Sequence, residues 1–354
     1  MGRSALQIAA ALLLLALPLA GLSRGQTAPR PGTYREEARV DRVVLDAFVT
    51  DKRGDAMPGL AAADFRVLVD GKSLPLESAE WLPAEAPEVE PAREADAFAA
   101  EPPPTVQVAP GRLLIFLFQT DFVPTRLLGL MRMSIQAKKF LDTLFPTDRV
   151  AVLSFDSHLK LRQDFTADRE KIVAAIHAAL RTGRAVPVPP QPGPSLARNF
   201  DYAGALRAVT PERALELISK AAAPIPGGKS MLFFGWGLGT IGGIAGPNVK
   251  DIEDFSAALP ALARARITIF SLDVTDANYH TLQHSLENIS DLTGGSYVKT
   301  NLFPSLAIDR VRRAIEGRYV LVFVKPPGPR GYHEVRVSLA AKKGRVQART
   351  FYED

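Results

Sequence analysis

Hydrophobic and polar positions follow two different rhythms along this chain. In the middle, unbroken apolar runs alternate with stretches spaced for helices. Leu113 to Phe118 is six apolar residues in a row, bounded by Pro110-Gly111 before and Gln119-Thr120-Asp121 after. A run of that length predicts a strand buried on both faces at the centre of a parallel sheet. Val150 to Phe155, Ser230 to Phe234, Ile267 to Leu272 and the short Ser296 to Val298 read the same way, and the alternating Leu159 to Phe165 reads as an edge strand. Between them the spacing predicts helices. Leu127 to Leu144 places Leu130, Ala137, Leu141 and Leu144 on one face and is stopped by Pro146. Asp168 can cap a helix with the face Ile172, Ile176 and Leu180, leaving His177 on its flank. Further helices are predicted over Pro211–Ala223, Asp251–Arg266, Thr281–Leu292 (closed by Gly294-Gly295) and Pro304–Ile315. The predicted class over 111–316 is α/β, a doubly wound, mostly parallel sheet with helices on both faces.

At both ends the period is two. Val40 to Val49 alternates in part, and Phe65 to Val69 leads into Asp70-Gly71, a hairpin signal, before Leu74 and Leu76. After Gly317, strands are predicted over Tyr319–Val324, His333–Leu339 and Val346–Phe351. These matching ends, 38–82 and 317–354, are expected to pair into one small antiparallel β-sandwich. Residues 83–110, rich in Pro, Ala and Glu, read as a flexible acidic linker, or alternatively as an ordered extended excursion. Ala185 to Pro194 has five prolines in ten residues and must be a loop.

The first residues change the picture. Ala5 to Leu22 is apolar apart from Gln7, follows the basic Arg3, and exits through Ser23-Arg24-Gly25. Residues 1–25 therefore read as a secretory signal peptide, with an uncleaved membrane anchor as the alternative. The chain is expected to be exported, periplasmic or secreted, with no membrane contact beyond the signal segment. Without Arg3 and Arg24 the net charge of +5 falls to +3, too little and too scattered to point to nucleic acid. Cysteine is absent, so disulfides, thiolate chemistry and a lipid-anchoring cysteine are excluded.

Candidate chemistry follows from topology, because open α/β sheets bind ligands outside the carboxyl ends of their strands. Asp121, Asp156 and Asp273 each follow a core strand, with Asp201 on a nearby loop. Together they could form an irregular oxygen cage of the kind Ca²⁺ tolerates, or each could cap its own turn. His280, His284 and Glu287, spaced four and three apart, could share a helix face as Zn²⁺ ligands. Leu282, Leu286 and Ile289 claim the core face, so a solvated trio is expected. Gly235-Trp-Gly-Leu-Gly239 has neither dinucleotide-binding nor phosphate-loop spacing. Ser157-His158 are neighbours, without the Gly-x-Ser-x-Gly setting of a serine hydrolase, which leaves hydrolysis the remote alternative.

A set of segments resembles the exported bacterial proteins related to the von Willebrand factor type A (VWA) domain. They are Val49-Thr-Asp-Lys-Arg-Gly54, Gly59-Leu-Ala-Ala-Ala-Asp-Phe65, Val69-Asp-Gly-Lys72, Asp148-Arg-Val-Ala-Val152, Asp164-Phe-Thr-Ala-Asp-Arg169, Thr293-Gly-Gly-Ser296 and Gly317-Arg-Tyr-Val-Leu321. The resemblance implies a non-enzymatic fold used for adhesion and protein–protein contact. It also implies a Mg²⁺ adhesion site built on Asp-x-Ser-x-Ser, a later Thr and a later Asp, and this chain departs from it at every ligand. Gln119 stands for the first Asp, Asp121 and Val123 for the serines, Tyr202 near the Thr and Trp236 for the later Asp. The expectation is a metal-independent binding or assembly module with no cofactor, a rebuilt Mg²⁺ or Ca²⁺ site being the alternative. Its protein partner would meet Gln119, Asp121, Tyr202, Trp236 and Asp273 beside the proline loop, with Trp236 and Tyr202 as apolar anchors and Gln119 and Asp121 as hydrogen-bond partners.

Overall fold

A computed structural model describes residues 41–85, 111–183, 186–239 and 249–354. The expected export signal, the expected linker from residue 86 and Ala185 of the proline-rich stretch lie outside these, as do the glycines at 242 and 243. The described residues belong to one compact unit, Val40–Asp354.

The N-terminal strands are β1 (Arg42–Thr50), β2 (Phe65–Val69), β3 (Lys72–Leu74) and β4 (Ser78–Pro83). The central section runs β5 (Leu113–Gln119), α1 (Pro124–Leu141), β6 (Arg149–Phe155), β7 (Leu159–Thr166), α2 (Arg169–Ala179), α3 (Tyr202–Leu206) and α4 (Pro211–Ala222). It continues through β8 (Lys229–Gly235), α5 (Val249–Arg264), β9 (Ile267–Asp273), α6 (Gln283–Thr293), β10 (Tyr297–Lys299) and α7 (Pro304–Ala314). The chain closes with β11 (Gly317–Val324), β12 (Tyr332–Leu339), β13 (Arg345–Ala348) and β14 (Phe351–Glu353).

The central sheet has the order β10-β9-β8-β5-β6-β7, parallel except for the antiparallel edge strand β7. Strand β5 is interior, paired to β6 and β8, and every residue in it is buried. Leu113, Ile115 and Leu117 enter one core, covered by α4, α5 and α6. Leu114, Phe116 and Phe118 enter the other, covered by α1, α2 and α7. The helices begin where their sequences stop the strands. Pro124 opens α1, where a missing N–H costs nothing, and Asp168 caps α2 by accepting from the Glu170 and Lys171 amides. Gly294, at φ 82°, ends α6 in the left-handed conformation a side chain disfavours.

The two chain ends do share a core. Sheets β13-β1-β11-β4 and β14-β12-β2-β3 bury Leu45, Val67, Tyr319, Leu321, Phe323 and Tyr352 between them. Strand β1 meets β11 antiparallel, Leu45 opposite Leu321. The sandwich joins the α/β section through ions as well as rings. Asp46 on β1 receives Arg266 at 2.7 Å and Arg318 at 3.1 Å. Burial pushes the Asp46 carboxyl up, but these two arginines outweigh it and hold it below the usual carboxylate range.

Two expectations are corrected. The single strand over Val346–Phe351 is two strands in different sheets: β13 pairs with β1 and β14 with β12. The break falls at Arg349, whose buried guanidinium donates to the Ala263 and Phe351 carbonyls at 2.7 and 2.8 Å and so turns the chain from one sheet to the other. Helix α6 starts at Gln283 rather than Thr281, so His280 stands three residues before it and not on a face shared with His284 and Glu287.

Candidate functional site

The carboxyl ends of β5 and β6, with Trp236 after β8, enclose a cleft of ≈ 630 Å³. Its walls include Thr120, Asp121, Phe122, Asp156, His158, Lys160 and Trp236. Gln119 closes β5 beneath it. The Gln119 Oε1 accepts the Trp236 and Gly237 amides at 2.9 and 3.2 Å, and its Nε2 donates to the Gly237 carbonyl at 2.8 Å. The side chain thus continues the β5–β8 ladder past the end of the strand.

Above it, Asp121 turns back on its own loop. Its carboxylate accepts the Val123 amide at 3.0 Å and pairs with Arg126 in the first turn of α1. The Arg126 guanidinium lies 3.8 Å from the centroid of the Trp236 ring, within cation–π range. Burial raises the Asp121 carboxyl, and the Val123 amide with Arg126 more than reverses that, so it stays ionised below the usual range. Asp121, Arg126 and Trp236 are therefore one stacked unit.

On the other wall, Asp156 pairs with Lys160, whose side chain is almost wholly buried, and accepts the Ser157 and His158 amides. Ser157 Oγ lies 3.1 Å from His158 Nδ1, and Asp156 Oδ1 is 3.6 Å from the same nitrogen. Nε2 of His158 is buried without a hydrogen-bond partner among the described residues. Burial and the Lys160 charge both lower the His158 pKa, favouring the neutral ring. A hydrolytic triad needs nucleophile and acid on opposite ring nitrogens. Here both face Nδ1.

The structure brings together only part of the residue set the sequence singled out. Asp121 and Trp236 line the cleft. Gln119 and Asp273 are buried, 1% and 2% exposed, so neither presents a surface to another molecule. Asp273 accepts the Thr275 amide at 3.0 Å, the Tyr297 hydroxyl at 2.7 Å and lies 2.9 Å from His280 Nε2. Tyr202 belongs to the opposite core, where its hydroxyl accepts the Val188 amide and donates to the Val188 carbonyl, both at 3.0 Å. It pins the proline loop instead of facing the cleft. The expected histidine face is also corrected: His280 turns inward to Asp273, while His284 pairs with Glu287 on α6.

The carboxylates are likewise dispersed over separate partners, Asp201 capping α3 through the Gly204 amide at 2.8 Å. Among the described residues, no three His, Cys, Asp or Glu side chains are placed to hold a metal ion. The Mg²⁺ site of the resembled family does not fit the residues present. Gln119 oxygen is taken by two amides, Asp121 by Arg126, and neither Val123 nor Trp236 has a side-chain oxygen to give. Two contributors were missed from the sequence. Arg126 is an ordinary helix residue until Trp236 lies under it, and Lys160 sits in an alternating strand with no sign that its charge is buried.

No protein-family model matches the chain, and no curated protein matches it. Solved structures similar to it include BatB from Bacteroides thetaiotaomicron, at 13% identity and TM-score 0.36, covering 58% of this chain and 98% of that one. The PilB minor pilin from Streptococcus sanguinis aligns at 10% identity and TM-score 0.38, over 58% of this chain and 61% of its own. A von Willebrand factor type A protein from Catenulispora acidiphila aligns at 10% and 0.37, over 90% and 74%. Likeness at this level leaves the functional reading to this chain's own residues.

Proposed function

We propose that the chain is an exported, VWA-like binding module that holds a protein partner at the carboxyl end of β5 without a metal, and that it is not an enzyme. The observation that carries this reading is the Asp121–Arg126–Trp236 stack. A cation is built into the sheet edge as a guanidinium, fixed by a carboxylate on one side and an indole face on the other. Asp121 engages one of the five N–H donors of Arg126, and a planar guanidinium suits a carboxylate offered by a partner. Phe122, 63% exposed at the rim, supplies apolar contact beside it. The shared nitrogen of His158 argues against hydrolysis.

Selection of displayed peptides on the immobilised protein in EDTA tests the reading. Carboxylate-bearing peptides should be enriched, and their binding should fall at least about tenfold in the Arg126→Ala, Trp236→Ala double variant, the size of one charge-assisted contact. Binding unaffected by the double variant, or abolished by EDTA and restored by Mg²⁺, would refute it.

A further inference from the structure

Of the fourteen large apolar side chains that stand exposed among the described residues, eight lie on α1, on α7 or in the loops at their amino ends. On α1, Leu128, Met131 and Ile135 repeat at helical spacing on the side opposite the core, and at α7 the set is Leu302, Phe303 and Leu306. Leu302 is 71% exposed and Leu306 60%. The two helices pack against each other and cover the same side of the central sheet, so their outward stripes share one face of the molecule. Nothing in the core explains these residues: the inward faces of both helices are already filled by Leu130, Met133, Ile308 and Val311 among others.

The same face is cationic. Helices α1 and α7 together carry seven basic residues and one acidic residue, a net +6, whereas the whole chain is +5, so the rest of the chain carries net −1. Arg126, Arg132, Arg312 and Arg313 are tied to Asp121, Asp276, Asp309, Glu316 and Asp55. Lys138, which sits 3.2 Å from the His177 ring, Lys139 and Arg310 have no acidic partner among the described residues. Lys139 follows Ile135 by four positions and Arg310 follows Leu306 by four, so each stripe ends in an exposed cation on its own face. Apolar side chains continued by long basic ones are the pattern of a helix lying in a membrane interface, stems among the acyl boundary and charges at the headgroups. Among the described residues no helix is long and apolar enough to span a bilayer, which fits attachment from one side.

We infer that the α1–α7 face docks the protein peripherally on a membrane leaflet rich in anionic lipid. Charge complementarity selects the anionic surface, and two apolar stripes displayed side by side suit a plane. None of Leu128, Met131, Ile135, Lys139, Leu306 and Arg310 lines the Asp121–Arg126–Trp236 cleft, so the inference does not depend on its role.

Vesicle co-sedimentation of residues 40–354, the compact unit that contains all three cores, tests it without the apolar amino-terminal segment. The unit should bind phosphatidylglycerol–phosphatidylcholine vesicles at low salt, lose binding as salt rises, and ignore pure phosphatidylcholine. Lys139→Glu with Arg310→Glu should weaken binding more than about tenfold, since each basic residue near such a surface contributes about a decimal order or slightly less. Leu128→Ser with Leu306→Ser should weaken it comparably. All four side chains are exposed, so unchanged circular dichroism melts will confirm folding. Vesicle binding equal to wild type in both variants, or no binding to anionic vesicles, overturns the inference. So does a wild-type dimer that the serine variant converts to monomer, which would make the face a self-contact.

Discussion

The side-chain amide of Gln119 exchanges two hydrogen bonds with the backbone of Gly237, accepting its N–H at 3.2 Å and donating to its carbonyl at 2.8 Å. An amide side chain thereby does at the end of β5 what a peptide unit does within the ladder. Gln119→Leu keeps the bulk but leaves the Trp236 amide and both Gly237 groups without their partner. The expected loss is at least about 1–3 kcal/mol in urea unfolding, the cost of stranding a buried polar group. An unchanged midpoint would show that the latch is ornamental.

Arg112 and Asp148 make a buried pair at the opposite end of β5. The guanidinium approaches to 2.5 Å, and the Arg112 and Phe145 amides also donate to the carboxylate at 2.8 and 2.9 Å. Asp148→Ala strands a buried guanidinium and two amides, and should cost about 3–5 kcal/mol. The double variant Arg112→Met, Asp148→Leu should recover part of that loss in a double-mutant cycle, because no unpaired charge remains.

His333 should make stability depend on pH near neutrality. Its hydrogen bond to Asp70, 2.8 Å from Nδ1, raises its pKa, with burial opposing and the Asp70 and Asp354 charges adding to the rise. A raised histidine stabilises the fold fully below its unfolded value near 6.5, and the contribution disappears as pH climbs through the folded value. Melting temperature should therefore decline in the wild type from about pH 6.5 up to the raised folded value. His333→Gln should flatten the decline, and identical pH profiles would show that the pair is inert.

Tyr202→Phe removes the hydroxyl that both accepts from and donates to Val188. Hydrogen exchange at the Val188 amide should accelerate while the amides of β5 stay protected, since the loss is local to the proline loop. Equal exchange at Val188 would place the loop's anchor elsewhere, for instance at Asp164, which accepts the Gln191 and Leu196 amides at 3.1 and 2.7 Å.

Gly129 lets α1 lie against the chain leaving β9. A Cβ there would sit 1.7 Å from the Val274 carbonyl oxygen. Gly129→Ala must push the helix outward and should cost about 1–3 kcal/mol despite alanine's better helix propensity. A gain in stability would mean that the helix has room to shift.

The fold was legible where burial writes itself into composition. Leu113 to Phe118 had to be apolar throughout because both faces of β5 meet a core, and the alternation of β1 and β11 survives because one face of each meets the sandwich interior. The break at Arg349 left no such mark: alternation continues through it, and only contacts to Ala263 and Phe351 turn the chain. The site was legible in location more than in detail. Asp121 and Trp236 line the cleft, but the inward turn of Gln119 depends on an amide 117 residues away. Asp273 follows its strand as an exposed ligand would, yet Tyr297 and His280 enclose it, and His280 escapes the helix that its spacing implied.

Because β1 finds its main partner in β11, the first of the described strands must wait for one of the last. The sheet from β5 to β10 lies wholly between them and can assemble while β1 and β4 still expose bare edges. A chain arrested before residue 317 would keep those edges open and sticky, so closing the sandwich waits for β11 to be made.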